Sequence, residues 1–489
     1  MKKLTNAFGM STAISAREFF RSYRPPCAES GAELTTRRCA HFALSLWLGR
    51  GTTRVYRCSL RDVMLLPLSP WILLLLGVPV LLLGEGVVRR VPLLARCNLP
   101  VPVVGGLLCS VLLLALNLSG LAVVSFATKV SAGGWTWLVT TEVEWAARPM
   151  KNLNLPLLVA FFTCVGLGAP VRILRTGGRA LAVLLVTGTV LAVLQNTVGV
   201  ALAIALGAPP LLGVVCGALT LVGGHGTALG FAPRFEQAGL ASAPTIGASA
   251  ATFGLVAGGV LAGPLAEWLL RGRGKNVSGP VPVPLETSSS VASFFSDVRA
   301  LVGLGRTAVG HTLLIAGCVK AGAWVSFGLD RAGASLPAYM GALLVGFFVR
   351  AAHDGAGGTW LRSDVIGRLA AVLLPLFLAV TLAALNLAEL ASVAGPMLVI
   401  LVVNTLVSLA FAAWVVWPLL GRDHEAGVMV AGLVGFGVGS TATAVAAMDA
   451  ITRRRGPAPR AVALVPPTGG FFIDFTNAPV IGAFINLLR

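Results

Sequence analysis

The chain has 489 residues, of which 56% are hydrophobic and only 11% charged, whereas soluble domains carry about 25% charged residues, so a soluble globular protein is excluded. The net charge of +18 raises nucleic-acid binding, but outside the first 63 residues the arginines sit mostly in short loops between apolar runs, where a basic excess sets membrane orientation, and no nucleic-acid partner is expected. The eight cysteines form no CxxC pair and no Cys/His cluster, which leaves neither a disulfide framework nor a metal site, and Cys109, Cys164, Cys216 and Cys318 read as small buried hydrophobes.

Residues 1–63 differ in kind from the rest, being rich in Lys and Arg and lacking an apolar run long enough to cross a bilayer. They are read either as a flexible basic tail or as sequence upstream of the true start, and Met64, just before the first strong span, favours the second. Spans of about 20 apolar residues are then predicted at 69–88, 100–118, 155–174, 180–206 and 245–270. A polar stretch at 271–306 reads as a cytoplasmic linker. Further spans follow at 307–329, 336–353, 365–387, 395–420 and 460–488. Each half, 64–270 and 307–489, also holds one apolar segment with a Gly-rich, polar middle, at 211–235 and 427–451. Such a segment reads as a re-entrant or broken helix, because free backbone groups at membrane depth need protein or water around them.

The halves echo each other: Asn196-Thr197 in Asn404-Thr405, Gly258-Gly259 in Gly469-Gly470, and Leu99-Pro100 in Leu336-Pro337. Five spans per half force the second half to insert upside down. The expected fold is therefore an all-α polytopic membrane protein of two inverted repeats of five transmembrane helices, each with a re-entrant hairpin loop, an architecture common among secondary transporters. Loops after the odd-numbered spans hold most of the basic residues, Arg89, Arg90, Arg179, Arg271, Arg362 and Arg453 among them, and should face the cytoplasm.

Four sets of residues carry the candidate chemistry. Gly223, Gly224, His225, Gly226 and Thr227 lie in the middle of the first broken segment, where glycines let backbone approach a ligand and helix ends offer unpaired groups to ions; close helix packing is the alternative. In the second segment Gly439 is followed by Ser440, Thr441 and Thr443, whose hydroxyls suit a hard cation such as sodium or simply bond back to the helix. Asp474 sits among apolar residues of the last span and is a functional hypothesis by default, with a salt bridge or a protonated carboxyl as alternatives. Gln195, Asn196 and Asn404 either coordinate ligand or bond across helices. Gly254, Gly258, Gly259 and Gly263 read as packing positions.

At these residues the chain resembles the sodium:glutamate symporter family, from about 82 to 488. The resemblance rests on 99–106, Phe161-Phe162 with Gly166-Leu167, Gln195-Asn196, the loop 223–227, 251–256, and Phe471-Phe472-Ile473-Asp474 with Asn477. It implies sodium-driven uptake of L-glutamate across the bacterial inner membrane, two re-entrant loops meeting near the midplane, no cofactor beyond the coupling Na+, and a homodimer in which one part moves against a scaffold. It implies substrate contacts from the two loop tips with Asn196 and Asn404, and ion contacts from Asp474, Asn477 and Gln195. Ala442 departs from the pattern, since the family usually places a proline in the Thr-rich end of the second loop. Coupling to protons, and another amino acid or carboxylate as substrate, stay open. An intramembrane hydrolase would require a second embedded carboxylate, and a scaffold would not require two matched broken loops.

Overall fold

The computed structural model describes residues 64–488 apart from 92–93, 95–99, 120–121, 127, 148–149, 170–176, 241, 272–290, 334–335, 386 and 391–392. The basic segment 1–63, most of the linker, and the end of the third expected span lie outside the described residues.

Strand β1 (Met64–Leu68) leads into α1 (Pro70–Leu75) and α2 (Gly77–Arg90), which make one span, and α3 (Val101–Ser119) follows. Next come β2 (Ala122–Phe126), β3 (Lys129–Val130), the short helices α4 (Gly133–Trp137) and α5 (Glu142–Ala147), and β4 (Lys151–Asn152). β1 and β2 pair in parallel and β3 and β4 antiparallel, so two small sheets join a fold expected to be wholly helical. Then follow α6 (Leu155–Leu167), α7 (Gly178–Ala205), α8 (Pro210–Val214) with a wide π turn Val215–Leu219, α9 (Gly224–Gln237) and α10 (Ala243–Leu269). The second half comprises α11 (Val291–Gly303), α12 (Arg306–Arg331), α13 (Ala338–Gly355) and α14 (Ser363–Ala383). It continues with α15 (Ala394–Phe411), running through a π turn into α16 (Trp417–Leu420), then α17 (His424–Val434) with a π turn Gly435–Gly439, and α18 (Thr441–Arg455). The last span is α19 (Pro459–Pro467) and α20 (Ile473–Leu487), joined by the π turn Thr468–Phe472.

Eight helical stretches among the described residues are long and apolar enough to cross a membrane, against the ten expected. The difference falls on the third and seventh. α6 ends at Leu167 with Gly168 as its cap, and the last turns of α13 carry Arg350, His353 and Asp354, so it is not apolar from end to end. These two helices pack closely on each other, with the backbone of Leu343 against Gly166 and that of Thr163 against Gly346. Small residues at a crossing let helices approach where lipid offers no hydrophobic drive.

Helices α1–α3, α6 and α11–α14 pack chiefly among themselves, and α7–α10 with α15–α20 form a second group. Glu85, buried in α2, is held in the first group by Arg89 and by the backbone N–H of Val291 at the start of α11, 3.0 Å away. Where the groups meet, α6 and α13 present rings to the broken helices. Phe347 lies 5.4 Å from Phe471 and 5.7 Å from Phe475, and Phe162 stacks on Tyr339 at 3.8 Å. The seam is aromatic on both sides, and Asp474 and Gly226 lie beside its rings.

Candidate functional site

Both segments expected to break do so. In the first, Gly217 leaves helical geometry (φ −104°, ψ −136°), and α9 restarts at Gly224. A break frees backbone groups that no water reaches, and each must find a partner inside the protein. Three buried asparagines from three different helices supply them. Asn196 Oδ1 of α7 accepts from Ala218 N–H at 2.9 Å, Asn404 Nδ2 of α15 donates to Cys216 C=O at 3.0 Å, and Asn477 Nδ2 of α20 donates to Ala218 C=O at 3.1 Å. A Cβ at Gly217 would lie 2.7 Å from Asn196 Oδ1, so glycine is what lets the amide in.

In the second segment the chain turns at Ser440, which is extended (φ −166°, ψ 168°) and caps α18. Ser440 Oγ accepts from Thr443 N–H at 3.3 Å, and Thr443 Oγ1 accepts from Ser440 N–H at 2.9 Å, a reciprocal capping box. Thr443 Oγ1 also lies 2.7 Å from the carbonyl oxygens of Gly435 and Ser440. Ser440 and Thr443 thus serve the backbone, whereas Thr441 makes no hydrogen bond among the described residues and has its hydroxyl 3.3 Å from where a Cβ on Gly470 would stand.

The two breaks meet. Gly224 adopts φ +64°, a left-handed conformation that suits glycine, and a Cβ there would come 3.6 Å from the carbonyl oxygen of Gly439. Behind the second break α10 presents Gly254 and Gly258, and a Cβ on Gly258 would lie 3.1 Å from Gly439 N. Gln195 ties the same break to the spans, donating to Gly437 C=O and to Ser408 Oγ, each at 2.8 Å.

His225 looks away from this meeting point. Its Nε2 is 3.0 Å from Thr252 Oγ1, and that hydroxyl donates to Ala248 C=O at 2.8 Å. With the hydroxyl hydrogen committed, Nε2 carries the hydrogen that bridges α9 to α10.

Asp474 differs from the other embedded acids among the described residues. Glu85, Glu267, Asp297 and Asp330 each meet an arginine, and Asp423 and Glu425 accept backbone N–H groups. Asp474, 9% exposed and flanked by Phe471 and Phe475, has no hydrogen bond or ion pair among the described residues. A bare carboxylate at membrane depth is costly, and a cation is what offsets it. Among the described residues Gln195 Oε1, Asn404 Oδ1 and Asn477 Oδ1 are likewise buried oxygens without a hydrogen-bond partner. Neutral oxygens and a carboxylate are the donor types that suit a hard cation.

Three participants escaped the sequence reading. Ser408 lies one helical turn from Asn404, and that spacing was the available signal, while Thr252 stands two residues before Gly254, inside the 251–256 stretch, without having been singled out. Tyr339, fully buried with its hydroxyl beside that of Thr227, is one of only three tyrosines in the chain, and its rarity was the only hint.

Comparison with known proteins gives the family. The family model described as sodium/glutamate symporter matches residues 134–457. The chain is 37% identical to the sodium/glutamate symporter of Escherichia coli (strain K12) over 408 residues, covering 83% of this chain and 95% of that protein, and equally to that of Shigella flexneri. To the Haemophilus influenzae sodium/glutamate symporter it is 33% identical over 84% of this chain and 96% of the relative. The chain belongs to the sodium/glutamate symporter family.

Proposed function

We propose that the chain is a secondary active transporter of the bacterial inner membrane that couples entry of Na+ to uptake of L-glutamate, and is not an enzyme. The observation that carries this reading is Asp474: a buried carboxylate without a partner, on a span whose neighbour Asn477 braces the first break. Na+ binds at Asp474 with the orphaned oxygens of Asn477, Gln195 and Asn404. Substrate lies at the tips of the two breaks, at Gly223, Gly224, Gly226, Thr227, Gly439 and Thr441. Asn196, His225, Ser440 and Thr443 position those tips, as their hydrogen bonds to backbone or across helices indicate.

The reading includes two inverted repeats, 64–270 and 307–489, joined by the 271–306 linker, with each broken helix entering and leaving on one side. Its support is a pairing that repeats: α2 packs on α3 as α12 does on α13, and α3 packs on α14 as α13 does on α6. The homodimer is part of the reading and is carried by the family resemblance alone. Alternating access follows if the group holding the breaks slides past α6 and α13 along the aromatic seam.

The test is uptake of labelled L-glutamate into proteoliposomes with and without an inward Na+ gradient, for the parent protein and for Asp474→Asn. Sodium-driven uptake that collapses in Asp474→Asn is expected. Uptake by the parent that ignores sodium and follows a proton gradient would overturn the coupling ion, and an active Asp474→Asn would overturn the site.

A further inference from the structure

We propose that Tyr339 is a substrate-contacting residue, its phenolic hydroxyl acting with that of Thr227 to donate to a carboxylate of the transported amino acid; this rests on the transport reading above. Tyr339 opens α13, behind the Leu336-Pro337 turn, in the helix group that does not contain the breaks. Its ring stacks on Phe162 of α6 at 3.8 Å and 13°. The ring edge lies against Gly230 of α9, where a Cβ would fall 2.7 Å from Tyr339 Cδ1. A Cβ on Gly226 would similarly reach the Phe162 ring at 3.4 Å. The glycines of α9 thus admit a rigid two-ring wall from the opposite group.

Thr227 lies three residues before Gly230 and so on the same face of α9. The Tyr339 hydroxyl comes beside that of Thr227, and apart from each other the two buried oxygens have no hydrogen-bond partner among the described residues. Tyr339 and Thr227 are each 1% exposed. Two hydroxyls sealed from water with only each other to bond leave one donor hydrogen unmatched, and a ligand acceptor would meet it. Thr227 belongs to the first turn of α9, whose amide end favours negative charge. The Asp474 carboxylate lies within electrostatic reach of the phenol without bonding to it. Hydroxyl donors and a helix N-terminus suit a carboxylate of the transported amino acid, while Asp474 is left to the cation. Because Tyr339 and Thr227 come from different helix groups, their joint grip exists only in one register of the seam.

Tyr339→Phe keeps the ring stack and the fit to Gly230 and removes the hydroxyl alone. In proteoliposomes its KM for L-glutamate should rise roughly ten- to hundredfold, the range for a lost hydrogen bond to a charged group, with the sodium concentration for half-activation unchanged. Competition by the two mono-amides, glutamine and isoglutamine, locates the contact: one of them should lose less affinity than glutamate does, because the carboxylate that Tyr339 reads is already gone. An unchanged KM, or an equal penalty for glutamate and both amides, overturns the proposal. Should Tyr339→Phe fail to fold, Thr227→Val decides by the same criterion. Absence of sodium-driven uptake by the parent protein overturns the transport reading instead, and this one with it.

Discussion

Replacing Gly217 by alanine should damage the first break in a way that a second substitution partly repairs. A Cβ there would lie 2.7 Å from Asn196 Oδ1 and 3.0 Å from the Gln195 carbonyl oxygen, both parts of one rigid turn of α7. Overpacking a buried site costs about 1–3 kcal/mol. Pushing Asn196 aside also breaks its 2.9 Å bond from Ala218 N–H, and a buried N–H left unpaired costs about 1–3 kcal/mol more. Together that is roughly 2–6 kcal/mol, enough to lower the midpoint of thermal unfolding in detergent by several degrees. Asn196→Ala removes the obstructing oxygen but also orphans the N–H, so alone it costs about 1–3 kcal/mol. In the double variant the N–H is lost once rather than twice and the side-chain clash is gone, while the Gln195 carbonyl still presses. The double variant should therefore be more stable than the sum of the single effects by about 1 kcal/mol or more. The measurement is unfolding of all four proteins, followed by loss of monodisperse protein on heating. Strict additivity, or a Gly217→Ala protein that melts with its parent, would refute the account of why glycine occupies this position.

The hydroxyls of the second break should separate by role. Thr443→Ala removes half of the capping box and should cost about 1–2 kcal/mol in the same unfolding assay, whereas Thr441→Ala should leave stability unchanged and alter KM for substrate or sodium; the reverse pattern would exchange their roles. The loop that carries α4 and α5 should be held by Lys320, whose ammonium donates to the carbonyls of Trp137 and Thr140 at 3.1 and 2.7 Å and pairs with Glu142 at 3.0 Å. The hydrogen bond from Lys320 holds the Glu142 carboxyl below its ordinary range. The stabilisation is thus present above the unfolded value and fades as pH falls through the lower folded one. Amide protection across 133–147, taken relative to the intrinsic exchange rate at each pH, should fall on acidification below about pH 4 in the parent, and Lys320→Met should be weakly protected at every pH; a parent whose protection ignores pH would sink this link.

The long spans were legible because a 20-residue apolar run has few alternatives, and the breaks were legible because glycine clusters interrupt such runs in both halves at 223–227 and 435–439. Asp474 could be singled out without coordinates, since its neighbours on both sides are apolar. Whether it had a partner could not be read: Glu267 and Asp330 also sit at the ends of apolar helices, yet Arg455 and Arg234 reach them from 188 residues and about a hundred residues away. Pairing at such separations is a tertiary fact. The two spans that came out differently failed for a local reason. Hydropathy averaged over a window does not register that Gly168 ends one helix early or that Arg350 and Asp354 pair with each other at the end of another.

The roles of the amides show most clearly where pattern reading runs out. Asn196 and Asn404 stand at matching places in the two halves, and symmetry would assign each to its own half's break. Both instead reach the first break, Asn196 at Ala218 and Asn404 at Cys216, while the second break is served by Gln195 from the first half. The first break is thus braced from both halves of the chain, and the second by Gln195 of the first half. A change on α15 is felt at residues 216–218, and a change on α7 is felt at Gly437. Two breaks wired in this crossed manner cannot shift independently without exposing a backbone carbonyl to the apolar interior. In the proposed site, ion binding at Asp474, whose span also holds Ala218 through Asn477, would bear on both breaks together, which is the coupling a symporter requires: neither half of the site would be in order unless the other is.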